Sequence, residues 1–182
     1  MALPSTVYKV TINLSDMDRG YYAEHSLTLA RHPSETEERL MVRVFAFLMA
    51  ASDSLEFGRG ISCVEDPDLM ERDLTGRILR WIDVGQIDLK RAKRALSQAD
   101  ETWLISYGNR ATDVWWSKEG PALCRLERLH IYRIETEDCA ALTALCSRNL
   151  NLQVMVQDGE FTIASGNDLI NIRPRACGDK KR

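Results

Sequence analysis

The chain has 182 residues, with 24 Lys and Arg against 27 Asp and Glu and a formal net charge of −3. That balance, with a pI near 5.7, excludes wholesale electrostatic binding to nucleic acid or an anionic membrane, so any such contact must use a local basic patch. Hydrophobic residues make up 45% and charged residues 28%, the mix of a globular protein with material for a sizeable core.

No run of about 18 apolar residues is present, so no membrane span is expected. The opening "MALPSTVYKVTINL" lacks a charged n-region and a continuous apolar stretch and is not read as a secretory signal. The five cysteines (63, 124, 139, 146 and 177) are odd in number and form no CxxC. Cys139 and Cys146 fall on one helical stretch and are read as core residues. A reducing cytoplasm is the expected compartment. Three scattered histidines (25, 32 and 130) give no transition-metal cluster.

Residues 7–14 alternate, with Tyr8, Val10, Ile12 and Leu14 on one face, and read as a strand. A turn at Asp16 to Gly20 leads to a second strand over 21–30, with Leu27 and Leu29 inward. In "HPSETEERLMVRVFAFLMAAS", Ser34 followed by Glu37 is a capping-box pattern opening a long helix to Ala51. Its apolar surface is too wide for a surface helix, so most of it should be buried.

Residues 55–61 read as a short strand. "EDPDLMERDLTGRILRWIDVG" reads as two strands joined by a turn at Leu74–Gly76. "DLKRAKRALSQA" is a helix with Leu89, Ala92, Leu96 and Ala99 at core spacing, and "TWLISYG" is a strand. "ATDVWWSKEGPALCRL" reads as a helix broken at Gly120-Pro121. "LHIYRI" is another strand and 136–148 another helix. The tail is a meander, with turns at Asp158-Gly159 and from Ser165 to Asp168, and residues 175–182 read as disordered. With no repeat or linker, one domain over 1–182 is expected. The element order predicts an α/β fold: a mixed central sheet flanked by helices, with antiparallel hairpins at both ends.

Within "RWIDVGQIDLKRAKRA" lies a chemical puzzle. Ile78, Arg80, Ile82 and Val84 share one face of the strand, and Leu79, Trp81 and Asp83 the other. Both faces are mostly apolar, as in a central strand covered on two sides. A carboxylate at Asp83 must then be paired, neutralised or bound to a metal. A two-residue loop at Thr75-Gly76 sets Asp68 opposite Asp83, whereas a four-residue loop sets Asp66 there. Either register brings two carboxylates together. An all-oxygen pair of this kind suits a hard ion, Mg²⁺ or Mn²⁺. The plainer alternative, favoured on spacing alone, is an acid at a solvated strand end.

Glu38 lies on a largely apolar stripe near the start of the long helix, where the helix dipole also favours an acid. Lys93 sits beside the core stripe of the next helix, while Lys90, Arg91 and Arg94 point more outward. This run reads either as a solvated face or as a phosphate-attracting patch for nucleic acid. In "YGNRATDVWW", Tyr107, Asn109 and Arg110 fall where a strand leads into a helix. Arg110 there could hold a phosphate, or simply begin a helix on which Trp115 and Trp116 pack.

The stretches "SLTLARHPSETEERLMVRVFAFL", "RWIDVGQ", "NRATDVWW" and "LNLQVMVQDGEFTI" together resemble the bacterial YaeQ family over nearly the whole chain. That family is similar in fold to the PD-(D/E)xK, restriction-endonuclease-like nucleases. The resemblance implies that Pro67-Asp68 stands at the "PD" element and Asp83-Val84-Gly85 at "(D/E)xK", with Glu38 as the acid of the first core helix. Asp68 and Asp83 would hold Mg²⁺ or Mn²⁺, and Glu38 would complete the shell or orient water. The chain departs from the pattern at Gly85, where a lysine is expected. Lys93 is the candidate replacement, Lys90 the second, and Gln86 a polar substitute. The implied activity is metal-dependent phosphodiester hydrolysis on nucleic acid. The alternative is a nuclease-derived binding or regulatory module that has lost catalysis.

Overall fold

The computed structural model describes residues 4–59, 63 and 65–178. Eleven strands and four helices fall in the order β1 (Thr6–Asp16), β2 (Tyr21–Arg31), α1 (Glu37–Ala50), β3 (Leu55–Phe57), β4 (Leu69–Arg72), β5 (Ile78–Val84), α2 (Leu89–Gln98), β6 (Ala99–Tyr107), α3 (Arg110–Leu123), β7 (Leu129–Ile134), α4 (Thr136–Ala144), β8 (Asn149–Gln157), β9 (Glu160–Ser165), β10 (Asp168–Ile172) and β11 (Arg175–Cys177).

The expected mixed α/β architecture is present, but it holds two sheets. One has the order β10-β9-β8-β1-β2 and the other β11-β7-β6-β5-β4-β3. The hairpins expected at the two chain ends meet in the first sheet, where β1 and β8 pair in parallel from Lys9↔Asn149 to Asp16↔Val156. Each strand is apolar on one face only, and those faces (Val10, Ile12 and Leu14; Leu150, Leu152 and Val154) close on α1. In the second sheet β5, β6 and β7 run parallel, with α2 and α3 as the connections.

The second sheet is covered on both faces. Ile82, Val84 and Ile105 belong to the core shared with α1, α4 and the first sheet. Leu104 and Ile131 pack under α2 and α3 with Ala92 and Leu123. From Leu40 to Ala50 every residue of α1 is buried, as its broad apolar surface requires.

Several boundaries differ from expectation. The N-cap of α1 is Thr36, which accepts from the Arg39 N–H at 3.1 Å; the Ser34 N–H instead reaches His32. α3 runs through Gly120-Pro121 without a break. Pro121 falls in the last turn, where it deletes a single donor. The Trp116 ring lies so close over Gly120 that a Cβ there would come within 2.8 Å of it. α4 ends at Ala144, and β3 spans only 55–57, residues 60 and 61 of that expectation lying outside the described residues. Part of the tail expected to be disordered forms β11, which pairs with β7 from Arg175↔Arg133 to Cys177↔Ile131; residues 179–182 lie outside the described residues. No described helix is long and apolar enough to cross a membrane. All five cysteines are free, with Cys139 buried and Cys146 packed on the core.

Candidate functional site

The β4–β5 hairpin resolves the choice between Asp66 and Asp68. Leu69 pairs with Ile82, Met70 with Trp81 and Glu71 with Arg80, the register that carries Asp68 toward Asp83. The turn reaches this register by an unforeseen route. Asp73 and Arg77 bracket it through an Asp73 N–H bond to the Arg77 carbonyl at 3.0 Å, and a bulge between Glu71 and Arg72 absorbs the extra residue. Asp66 lies outside the hairpin, paired with Arg59 at 2.6 Å.

Asp83 faces α2 and is 1% exposed. That helix opens at Asp88, whose carboxylate accepts from the Arg91 N–H at 2.7 Å. The cap fixes the first turn, and from it Arg91 reaches back as a fork: Nη2 donates to Asp83 Oδ1 at 2.6 Å and Nε to Oδ2 at 2.9 Å. The same Nη2 donates to the Asp66 carbonyl at 2.9 Å. Arg91 was expected to point outward; it turns inward because a buried carboxylate without a partner is far costlier than one ordered side chain. Burial pushes the Asp83 carboxyl above its usual range, against the opposing pull of Arg91.

Asp68 is closed from the opposite helix. Its Oδ1 accepts from Arg39 Nη2 at 2.7 Å, and its Oδ2 from the Val84 N–H at 2.7 Å. Arg39 also donates to Glu35 Oε1 at 3.0 Å, and Arg43 donates to the two Glu35 oxygens at 3.0 and 3.1 Å. Glu35 and Arg43 are both fully buried. Burial works against the charge on Arg39, but the Asp68 and Glu35 carboxylates outweigh it and raise its pKa.

Glu35, Arg39 and Arg43 escaped the sequence reading, although a signal was there. They recur every four residues from just before the Thr36 cap into the buried part of α1, and a charge on such a face needs a partner at that spacing.

Three carboxylates (Glu35, Asp68 and Asp83) thus meet three guanidiniums (Arg39, Arg43 and Arg91). Every oxygen of Asp68 and Asp83 already accepts a hydrogen bond. A Mg²⁺ or Mn²⁺ ion needs open carboxylate oxygens and a net negative site. The residues as placed do not fit that ion.

The other expected site residues are dispersed. Lys93 is exposed on α2, and it is Arg91 that holds Asp83. Lys90 lines a groove of about 520 Å³ with Arg91, Arg94, Gln86 and Trp115. Trp115 is anchored there by its Nε1 donating to the Ile87 carbonyl at 2.9 Å. Glu38 and Gln86 line a second cleft, of about 460 Å³, at the ends of β5 and β6. Tyr107, Asn109 and Thr112 share it, and Arg110 is exposed at the first turn of α3. Gly85 belongs to this cleft too. Its φ of +108° is a backbone that L side chains rarely adopt, so the missing lysine is a conformational fact as well as a chemical one.

The comparisons with known proteins place the chain in a family. The family model described as YaeQ protein matches residues 1–174. The chain belongs to the YaeQ family. The YaeQ protein of Escherichia coli K12 is 36% identical over 172 residues, covering 94% of this chain and 95% of that one. The Salmonella typhi YaeQ protein is 34% identical over 173 residues, covering 95% and 96%. The crystal structure of YaeQ from Xanthomonas axonopodis pv. citri superposes with a TM-score of 0.90 at 45% identity, covering 94% of this chain and 97% of that one. That of YaeQ from Pseudomonas syringae gives 0.89 at 36% identity, covering 96% and 97%.

Proposed function

We propose that this YaeQ family chain is a nucleic-acid-binding protein that does not hydrolyse phosphodiesters, built on a restriction-endonuclease-like hairpin whose metal site has been closed by arginine. The observation that carries this reading is the double fork: Arg91 on Asp83, and Arg39 with the Val84 N–H on Asp68. Guanidinium groups occupy the place where the resemblance to nucleases puts Mg²⁺ or Mn²⁺. Gly85 leaves no lysine to polarise water, and Lys93 is directed to solvent. What the hairpin keeps is the basic helix beside it. Lys90 and Lys93 are exposed on α2, and the Trp115 groove adjoins Lys90. Cations beside an aromatic face are the usual apparatus for single strands, with phosphates on the cations and bases on the ring.

The test has two arms. Labelled single- and double-stranded DNA and RNA are incubated with the protein and Mg²⁺ or Mn²⁺, in parallel with Asp83→Ala. Binding is then followed by fluorescence anisotropy across a salt series. Neither protein should cleave, and binding should weaken steeply with salt. Lys90→Ala or Lys93→Ala should each lower the log–log salt slope by about 1. Metal-dependent cleavage lost in Asp83→Ala, with the fold intact, would reinstate the hydrolase. Absence of binding at low salt would overturn nucleic-acid recognition.

A further inference from the structure

The cleft at the ends of β5 and β6 differs from the closed hairpin beside it in one chemical respect. Several of its polar groups are already engaged. The Gln86 amide donates to Thr112 Oγ1 at 3.1 Å, and that hydroxyl donates to the Tyr107 carbonyl at 2.8 Å. Asn109 Oδ1 accepts from the Ala111 N–H at 3.1 Å, and Arg39 is divided between Asp68 and Glu35. Among the described residues Gln86 Oε1 and Asn109 Nδ2, on exposed side chains, are open, and so are two half-buried groups. Among the described residues, neither the Glu38 carboxylate nor the Tyr107 hydroxyl has a hydrogen-bond or ion-pair partner, although both residues are half-buried.

These two groups differ in hydrogen-bonding sense. The carboxylate offers two acceptors. Burial, against the opposing pull of Arg39 and with the Glu38 and Asp68 charges adding to it, pushes the Tyr107 phenol up to about 12, so it is a donor throughout the physiological range. Gly85 keeps the space beside Tyr107 open. A Cβ built there would point at the Tyr107 ring, 3.9 Å from Cε1, so any longer side chain would enter the cleft. The volume of about 460 Å³ lies within the range of roughly 300–1,000 Å³ typical of small-molecule sites.

We propose that this cleft is a guanine-recognition pocket, in which the Glu38 carboxylate accepts from the N1–H and the exocyclic N2 amino group while the Tyr107 hydroxyl donates to O6. Of the four bases only guanine presents two adjacent donors followed by an acceptor on its Watson–Crick edge. Cytosine and adenine present one donor each, and uracil or thymine a donor between two acceptors. Unstacked bases are read on this edge in single-stranded nucleic acid. A site built to hydrogen-bond a group strongly rejects the analogue that lacks it. The inference rests on the binding function proposed above, adding base selectivity to the phosphate contacts of α2. Glu38, expected as a metal-shell acid, becomes the residue that reads the base.

The experiment is calorimetric titration of the full chain with GMP, IMP, AMP, CMP and UMP, repeated on Glu38→Gln and on Lys90→Glu/Lys93→Glu. Thermal melts establish that each variant is folded. GMP should bind, and IMP, which lacks the N2 amino group, at least tenfold more weakly. AMP, CMP and UMP should fall below detection. Glu38→Gln should weaken GMP binding at least tenfold, whereas the double lysine variant should retain the preference for GMP over IMP while losing salt-dependent oligonucleotide binding. Equal binding of all five nucleotides, no binding of GMP, or an unaffected Glu38→Gln variant would overturn the pocket. Such a result leaves the proposed oligonucleotide binding standing or falling on its own anisotropy data. Conversely, guanine selectivity without oligonucleotide binding would sink the nucleic-acid reading and keep the pocket.

Discussion

The closed hairpin end and the open cleft lie side by side, and Arg39 is within reach of both. At the hairpin, Asp68 and Asp83 are nearly sealed from solvent and every carboxylate oxygen is matched to a donor. In the cleft, Glu38 lies one residue before Arg39 on the same helix, yet keeps its carboxylate unpaired among the described residues. Depth makes the difference. A fully buried charge has to be answered by the protein itself, whereas a half-buried one can remain hydrated until a ligand replaces the water. Acids from different elements that lie side by side are thus left in different states, one matched to donors and the other open.

Mutations that strike the two regions separately should reveal this contrast. The largest effect is expected from Glu35→Ala, which leaves the sealed Arg43 guanidinium only a 3.9 Å approach to Asp68 in place of two hydrogen bonds. Breaking a buried pair from one side costs about 3–5 kcal/mol, to be read from the urea midpoint. Gly85→Lys comes next. It introduces the lysine that the resemblance to nucleases calls for but places a side chain on left-handed backbone, at a cost of about 1–3 kcal/mol. It should not confer metal-dependent cleavage, because the arginine forks on Asp68 and Asp83 remain.

Asp83→Asn acts through pH. Burial raises the folded-state pKa of Asp83 above its usual 3.8, so the folded chain holds that proton more tightly than the unfolded chain. The contribution of this group is therefore fully present below 3.8 and is lost as pH rises through the elevated folded-state value. The melting temperature of the parent relative to Asp83→Asn should fall over that interval. A difference that rises with pH there would show that Arg91 outweighs burial. The smallest effect on stability is expected from Glu38→Gln, within about 0.5 kcal/mol, since no intramolecular partner is lost. Measurable destabilisation by that change would show Glu38 to be part of the scaffold.

Much of this was legible in the residues. The alternation of Tyr8, Val10, Ile12 and Leu14, the apolar breadth of α1, and the Asp158-Gly159 turn each follow from local periodicity and backbone preference. The hairpin register was legible only as a choice between Asp66 and Asp68 opposite Asp83, because the bulge that settles it is a compromise between turn and ladder. Arg91 was misplaced for a related reason. Helical spacing ranked Lys93 nearer the core, but a long side chain is oriented by the charge it can reach, and only Arg91 combines the right turn with a planar fork.

The sequence by itself determined which segments become strands and helices and which faces are apolar, because these depend on nearest neighbours and on burial; for Asp83 it left two alternatives, a buried partner and a solvated strand end. Only the tertiary structure decided which partner it would be. It also decided that hairpins from opposite ends of the chain share one sheet, and that Glu38 would face an open cleft rather than the acidic pair. These outcomes depend on groups far apart in sequence being brought within a few ångströms, and no local pattern encodes that distance.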